Sequence, residues 1–300
     1  MPNMKGPLYV DGMLVGGTGI NPGEGRVLYV DGKQSRSYDG TSWTRPYITV
    51  QAAIDAARSG DQILIAPKRD DDGYDEAVTI PRSKRNLKLI GVGARGSVFI
   101  APSTTNATAV TNEADETVFE NIGMDGDGTG HACVNRGRRV RWYGCKIEGG
   151  TDGLRATLGT AAQVAADTRG DGSDCILYDC EIAWNTNGVH IVASDHGAVT
   201  QLRFRGCWFH NNTAADFEES GGSAAVRFQD LDIGQCKFSR LDDGTEPAMY
   251  IILNDDNANS GMVWGCTFPT AINGGNNLVS TALIWVGNFH TGGVSAAQPS

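Results

Sequence analysis

Val140-Arg141-Trp142-Tyr143-Gly144-Cys145-Lys146-Ile147 is the stretch on which the fold turns, because four later segments repeat its pattern. They are Cys175-x-Leu177-x-x-Cys180-x-Ile182, Leu202-x-Phe204-x-x-Cys207-x-Phe209, Leu231-x-Ile233-x-x-Cys236-x-Phe238 and the weaker Gly261-x-Val263-x-x-Cys266-x-Phe268. Successive cysteines are 35, 27, 29 and 30 residues apart, a period that marks stacked structural repeats. In each copy the apolar positions ahead of the cysteine alternate as in a strand, and the cysteine and the residue two beyond it alternate again. The phase slips by one residue between the two halves, so the chain keeps one side inward only by bending there. Just ahead of the cysteine stand Gly144, Asp179, Gly206 and Gly265, residue types that accept a left-handed backbone at low cost. Strand, tight bend, strand and a longer return make one coil of a parallel β-helix. A propeller or sandwich would need hairpin turns at short intervals.

The pattern extends beyond the cysteines. Leu87-x-Leu89-x-Gly91-Val92 places valine in the cysteine slot, Val118-x-x-Asn121 fits loosely, and Leu283-x-Trp285-x-Gly287-Asn288 closes the series. An all-β chain of about eight coils between residues 85 and 290 is expected, roughly 40–45 Å long at ~4.8 Å per level. Its 300 residues, 40% hydrophobic with 40 glycines, suit one elongated domain with many bends. Cys145, Cys180, Cys207, Cys236 and Cys266 should line the interior as small hydrophobes with free thiols, since no C-x₂-C pair occurs.

Residues 1–45 lack the pattern. Leu8-Tyr9-Val10-Asp11-Gly12 recurs as Leu28-Tyr29-Val30-Asp31-Gly32, two short strands with Asp-Gly turns. This segment reads as an attachment arm, with Leu8, Tyr9, Val10, Leu28, Tyr29 and Val30 as its docking contacts. Val50, Ala53, Ile54 and Ala57 then share a helical face over residues 49–58, with Gly60 as the C′ residue. The strand Gln62–Ala66 follows, and residues 46–290 form the β-helix behind this capping helix. The small polar tail 291–300 is expected to fray.

Tyr47 to Ala57, Gly60 to Pro67 and Tyr74 to Ile80 together resemble the capping segment of the pectin-lyase-like right-handed β-helix superfamily. With the coils, the resemblance covers residues 46–290. It implies a right-handed parallel β-helix and is poor for activity, because that superfamily holds polysaccharide lyases, glycoside hydrolases, bacteriophage tailspikes and other virion proteins.

Signatures of its enzymes are broken here. Where polygalacturonase-like hydrolases have Asn-Thr-Asp, this chain has Asn185-Thr186-Asn187; Asp195-His196-Gly197 precedes Asp242-Asp243 instead of following it, and the later Arg-x-Lys is missing. Pectate-lyase motifs fail likewise, since Asp195-His196 lacks a Trp-bearing strand context. The candidate acids for glycan cleavage are Glu148 and Glu181, just after the cysteine slots of adjacent coils, with Asp216 and Glu218. Asp152 is expected in a return loop. Asp125-Gly126-Asp127-Gly128 imitates a calcium loop, but its twelfth position is Arg136. The histidines share no metal spacing, so neither a metal nor a cofactor is expected. Arg136, Arg138, Arg139 and Arg141 read as a solvated basic edge, or as an interface with an acidic partner.

A net charge of −10 argues against nucleic acid as partner. No apolar run is long enough for a signal peptide or a membrane span. The expectation is a bacteriophage virion protein made in the host cytoplasm, a head decoration protein or short tailspike. It would be a homotrimer bound to capsid or tail proteins, with a host surface glycan as a further partner. The alternative is a polysaccharide-cleaving lyase, glycoside hydrolase or depolymerising tailspike.

Overall fold

The computed structural model describes residues 8–10, 13–15, 25–68, 73–157, 172–192, 199–220, 228–239, 249–252, 260–269, 278–279 and 283–290. Their strands stack into three long parallel sheets, the first of ten strands and the other two of eight each. A coil visits the sheets in turn: Arg141–Tyr143, Lys146–Glu148 and Asp152–Thr157 are followed one level on by Ile176–Tyr178, Glu181–Ala183 and Asn187–Val192. This is a right-handed parallel β-helix.

The bend between the first and second sheets is left-handed in every repeat of the cysteine pattern. Gly144 (φ 57°), Asp179 (φ 49°), Gly206 (φ 64°), Gln235 (φ 56°) and Gly265 (φ 60°) all occupy it. Gln235 does so without the residue type that eases it, so the stacking of its neighbours imposes the conformation. After each bend the cysteine points inward. Its backbone joins the ladder: Glu181 N donates to Cys145 O at 2.9 Å, Trp208 N to Cys180 O at 2.9 Å, and Thr267 N to Cys236 O at 2.9 Å. All seven cysteines are free and buried. At the last coil Asn288 takes the slot, fully buried, accepting from Cys266 N (2.9 Å) and donating to Val263 O (2.9 Å). The interior is a continuous apolar stack from Leu28 to Leu283, with the rings of Phe209, Phe238 and Phe268 lying over one another at 5.0 and 4.6 Å.

Two slots differ from expectation. The coil after Leu89 carries an insertion, so Val98, not the half-buried Val92, lies inward ahead of the strand Phe99–Ile100. Asn121 (φ 54°) is the bend residue of its coil and the buried Ile122 fills the slot.

The boundary at residue 45 also moves. Val27–Val30 is the outermost strand of the first sheet, paired with Gln62–Ile65, and Leu28 and Val30 are buried in the core. They are therefore unavailable as docking contacts. Tyr29 is packed edge-on against Trp43 at 4.8 Å, and its backbone exchanges hydrogen bonds with Gly40 and Tyr47, so residues 38–47 cover the strand's free edge. Arg26 clamps this rung to the next through Asp61 at 2.7 Å. Leu8–Val10 instead forms an antiparallel hairpin with Met13–Val15. The two near-identical segments thus take different roles, because only the second has a parallel neighbour to pair with.

The helix α1 (Val50–Ala56) buries Val50, Ala53 and Ile54. Thr49 caps it by accepting from Ala52 N, and the Glu76 carboxylate accepts from Val50 N (2.7 Å) and Gln51 N (2.9 Å). It ends sooner than expected, at an extended Ala57, so Gly60 (φ 86°) is a turn residue leading into the strand and not the C′ residue.

Candidate functional site

Among the described residues, a polar constellation lies where the chain turns from the second sheet into the third. Asp152 and Asn187 open successive strands there and face each other across the ladder, as do Arg155 and His190. The Asp152 carboxylate is buried (1% exposed). One oxygen accepts from His190 Nδ1 at 2.9 Å and from Asn187 Nδ2 at 3.2 Å, and the other accepts from Arg155 at 3.2 Å. His131 Nδ1 lies 3.1 Å from that second oxygen, out of line for a good hydrogen bond. Burial works against ionisation of Asp152, but the histidines and Asn187 outweigh it and hold the carboxyl well below its usual range. A carboxylate is thus shared among three stacked coils, with a His–Asp dyad at its edge. Asp152 is in a strand and not in a return loop, and His131 and His190 are strand residues turned toward it. The signal lay in the sequence: Asp152-Gly153-Leu154-Arg155 and Asn187-Gly188-Val189-His190 have the same pattern of glycine, apolar residue and basic side chain.

The four expected acids do not form one constellation. Glu148 is the third residue after its cysteine and Glu181 the first, so register sets Glu181 beside Lys146 and Glu148 beside Ala183. Glu148 pairs with Lys146 at 2.7 Å and Glu181 with His210 at 3.2 Å. Asp216 is fully buried on the inner side of its strand, accepting from Asn212 Nδ2 at 2.8 Å while its other oxygen has no partner. Burial pushes its carboxyl up to about 8, so it is a neutral, inaccessible acid and not a catalytic one. Glu218 is on the third sheet, level with His190. Asn212, the partner of Asp216, belongs to an amide stack: Asn185 Nδ2 donates to Asn212 Oδ1 at 3.1 Å, and Gly150 N donates to Asn185 Oδ1 at 3.1 Å. Asn185-Thr186-Asn187 is therefore a structural turn.

Two arginines of the basic edge pair with acids of the preceding coil, Arg136 with Glu113 at 3.0 Å and Arg139 with Glu116, and Arg85 nearby pairs with Asp115 at 3.3 Å. In the Asp125 turn the carboxylate accepts from Asp127 N at 3.1 Å. Among the described residues no cluster of side chains has the make-up of a metal site, and no helix is long and apolar enough to cross a membrane. Asp195-His196-Gly197 and Asp242-Asp243 lie outside the described residues. Within the core, burial pushes the Cys175 thiol up to about 12 and raises Cys180 and Cys236 well above the usual thiol range. These sulfurs are structural.

Solved structures with the same winding cover nearly the whole chain. Pectin methylesterase from Aspergillus niger matches with a TM-score of 0.55 at 18% identity, over 94% of this chain and 90% of its own. Pectate lyase Pel9A matches at 0.61 and 13%, over 92% and 79%. Alginate lyase from Paenibacillus sp. str. FPU-7 matches at 0.52 and 12%, over 90% and 99%. The chain shares the parallel β-helix fold of these proteins. At these identities the likeness extends to the fold alone. No family model matches the sequence, and no curated protein does.

Proposed function

We propose that the protein is a structural component of a bacteriophage virion, a head decoration protein or short tailspike, whose β-helix projects from the particle. What supports this is how the rod uses its acids. A glycoside hydrolase needs two accessible carboxylates, about 5–5.5 or 6.5–9.5 Å apart. Here Asp216 is buried and neutral, Glu148 is held in an ion pair with Lys146, and Glu181 is engaged by the His210 ring at 3.2 Å. The resemblance to a superfamily that includes virion proteins supports the same reading. The hairpin Leu8–Val10 with Met13–Val15 belongs to none of the three long sheets, so attachment is assigned to residues 1–24. The rods would stand side by side as a trimer.

Immunoelectron microscopy of phage particles tests this, comparing the full chain with one lacking residues 1–24. The full chain should label particles, and the shortened chain should stay folded yet be absent from them. Labelling by the shortened chain would refute the attachment assignment, and particles without the full chain would overturn the proposal.

One observation favours cleavage instead. The His190–Asp152 dyad has Arg155 beside it, on a fold shared with proteins named for action on pectin and alginate. Cleavage of pectin or alginate by the wild type that disappears in His190→Ala would replace the structural reading.

A further inference from the structure

Large apolar side chains are exposed unevenly over the rod. Of the eight that the described residues expose, Tyr178, Met262, Ile284 and Val286 stand on the outer face of the first sheet. A fifth, Trp43, lies against Tyr29 on that sheet's first strand. The face is ten strands long, about 43 Å at ~4.8 Å per rung. Its strands carry Arg141, Tyr143, Arg203, Arg205 and Trp264 outward as well. Tyr, Trp, Met and Arg are the residue types that protein contacts favour, and an apolar patch of this extent marks a contact site.

The order of residues along the face identifies the partner. In one outward column Lys88 and Asp232 stand on the third and eighth rungs. In the other, Glu120 and Arg205 stand on the fourth and seventh, and Tyr143 and Tyr178 on the fifth and sixth with their rings stacked at 5.5 Å. The two end rungs are apolar, Val27 with Tyr29 and Ile284 with Val286. All these pairs are centred on one point, midway between the fifth and sixth rungs. A second copy can therefore lie face to face with the first, turned about a two-fold axis that runs along the strands at that point. Lys88 then meets Asp232, Glu120 meets Arg205, the tyrosine stack meets its own copy, and the apolar ends cover each other. Each contact occurs twice, as an isologous interface requires. Arg205 and Asp232 are joined by a salt bridge, with the Trp264 ring 5.1 Å from the guanidinium. They are thus a fixed receiver for the partner's opposite charges. Rods turned about an axis along their length would instead set each rung on itself, with Arg203 against Arg205, and like charges repel. We infer that the free chain pairs with a second copy through the outer face of the first sheet, the two rods antiparallel. The pair rests neither on the virion reading nor on its trimer. Its attachment segments point opposite ways, so it must part before both reach one particle.

Sedimentation equilibrium of the full chain, with carbodiimide cross-linking read by mass spectrometry, tests this. The mass should be twice that of the 31.8 kDa chain. Within one chain Lys88 and Asp232 are five rungs apart, about 24 Å at ~4.8 Å per rung, so a direct amide between them forms only across the pair, and it should be found. Glu120→Arg should weaken pairing about tenfold or more by facing Arg205 of the partner subunit. Ile284→Glu, at a side chain 63% exposed and therefore free of the core, should do the same with an unchanged circular dichroism spectrum. A monomeric or trimeric mass, a dimer without the Lys88–Asp232 amide, or wild-type pairing in either variant would overturn the inference. The virion proposal would stand in each case.

Discussion

Phe209→Ala is expected to lower the unfolding free energy by about 3–5 kcal/mol. Phe209 is fully buried, stacked on Phe238 at 5.0 Å and packed against Phe217 at 4.8 Å and Phe204 at 6.0 Å. Its register partners are Ile182 on one side and Phe238 on the other. Truncation therefore opens a cavity between rungs that backbone ladders hold at fixed spacing, and such a site cannot collapse to fill it. In a solenoid each coil is stabilised chiefly by its neighbours, so the loss should also split the denaturant transition, with the coils after Phe209 unfolding first. Tryptophan fluorescence during guanidinium unfolding reads both effects. Phe289→Ala, at a ring 54% exposed, should change stability by no more than about 0.5 kcal/mol. Equal effects at the two sites would contradict the assignment of inside and outside.

Asp216→Asn is expected to stabilise the protein at alkaline pH. The folded-state carboxyl is raised to about 8, whereas in the unfolded chain it titrates near the usual aspartate value of about 3.9. Between those values the folded state binds more protons than the unfolded state, so unfolding free energy falls as pH rises. The contribution is fully present below about pH 4 and is lost by about pH 8, on the order of 2–5 kcal/mol in all. Asparagine keeps an oxygen to accept from Asn212 and has no charge to desolvate. Stability of the variant measured from pH 4 to 8 should lack this slope, exceeding the wild type at pH 8. A parallel slope in the two proteins would show that Asp216 is ionised in the fold.

Much of this fold was legible from residues, because a strand's period of two and a left-handed bend leave marks that repetition amplifies. Gly144, Gly206 and Gly265 announced the bend by type, and Asp179 nearly so. Gln235 did not, since its neighbours' stacking imposes its conformation. The insertion between Gly91 and Val98 hid one slot, for spacing identifies a rung only when the loop keeps its length. Leu28-Tyr29-Val30 could not be told from Leu8-Tyr9-Val10, because which copy joins a sheet depends on a strand more than thirty residues away. The acids were least legible. Asp216 and Glu218 stand two apart in one strand, so a period of two cannot tell them apart, although Asp216 is fully buried against Asn212 and Glu218 is only half-buried. The Asp152 constellation was hidden because its members come from three coils, and each alone reads like a polar side chain facing solvent.

Thiol titration tests the wound, cysteine-lined interior most directly. The native protein should show no rapidly reacting thiol, and the unfolded, unreduced protein should yield all seven cysteines. Fast labelling of Cys180 or Cys207 in the native state, or a count short of seven after unfolding without reductant, would contradict the account.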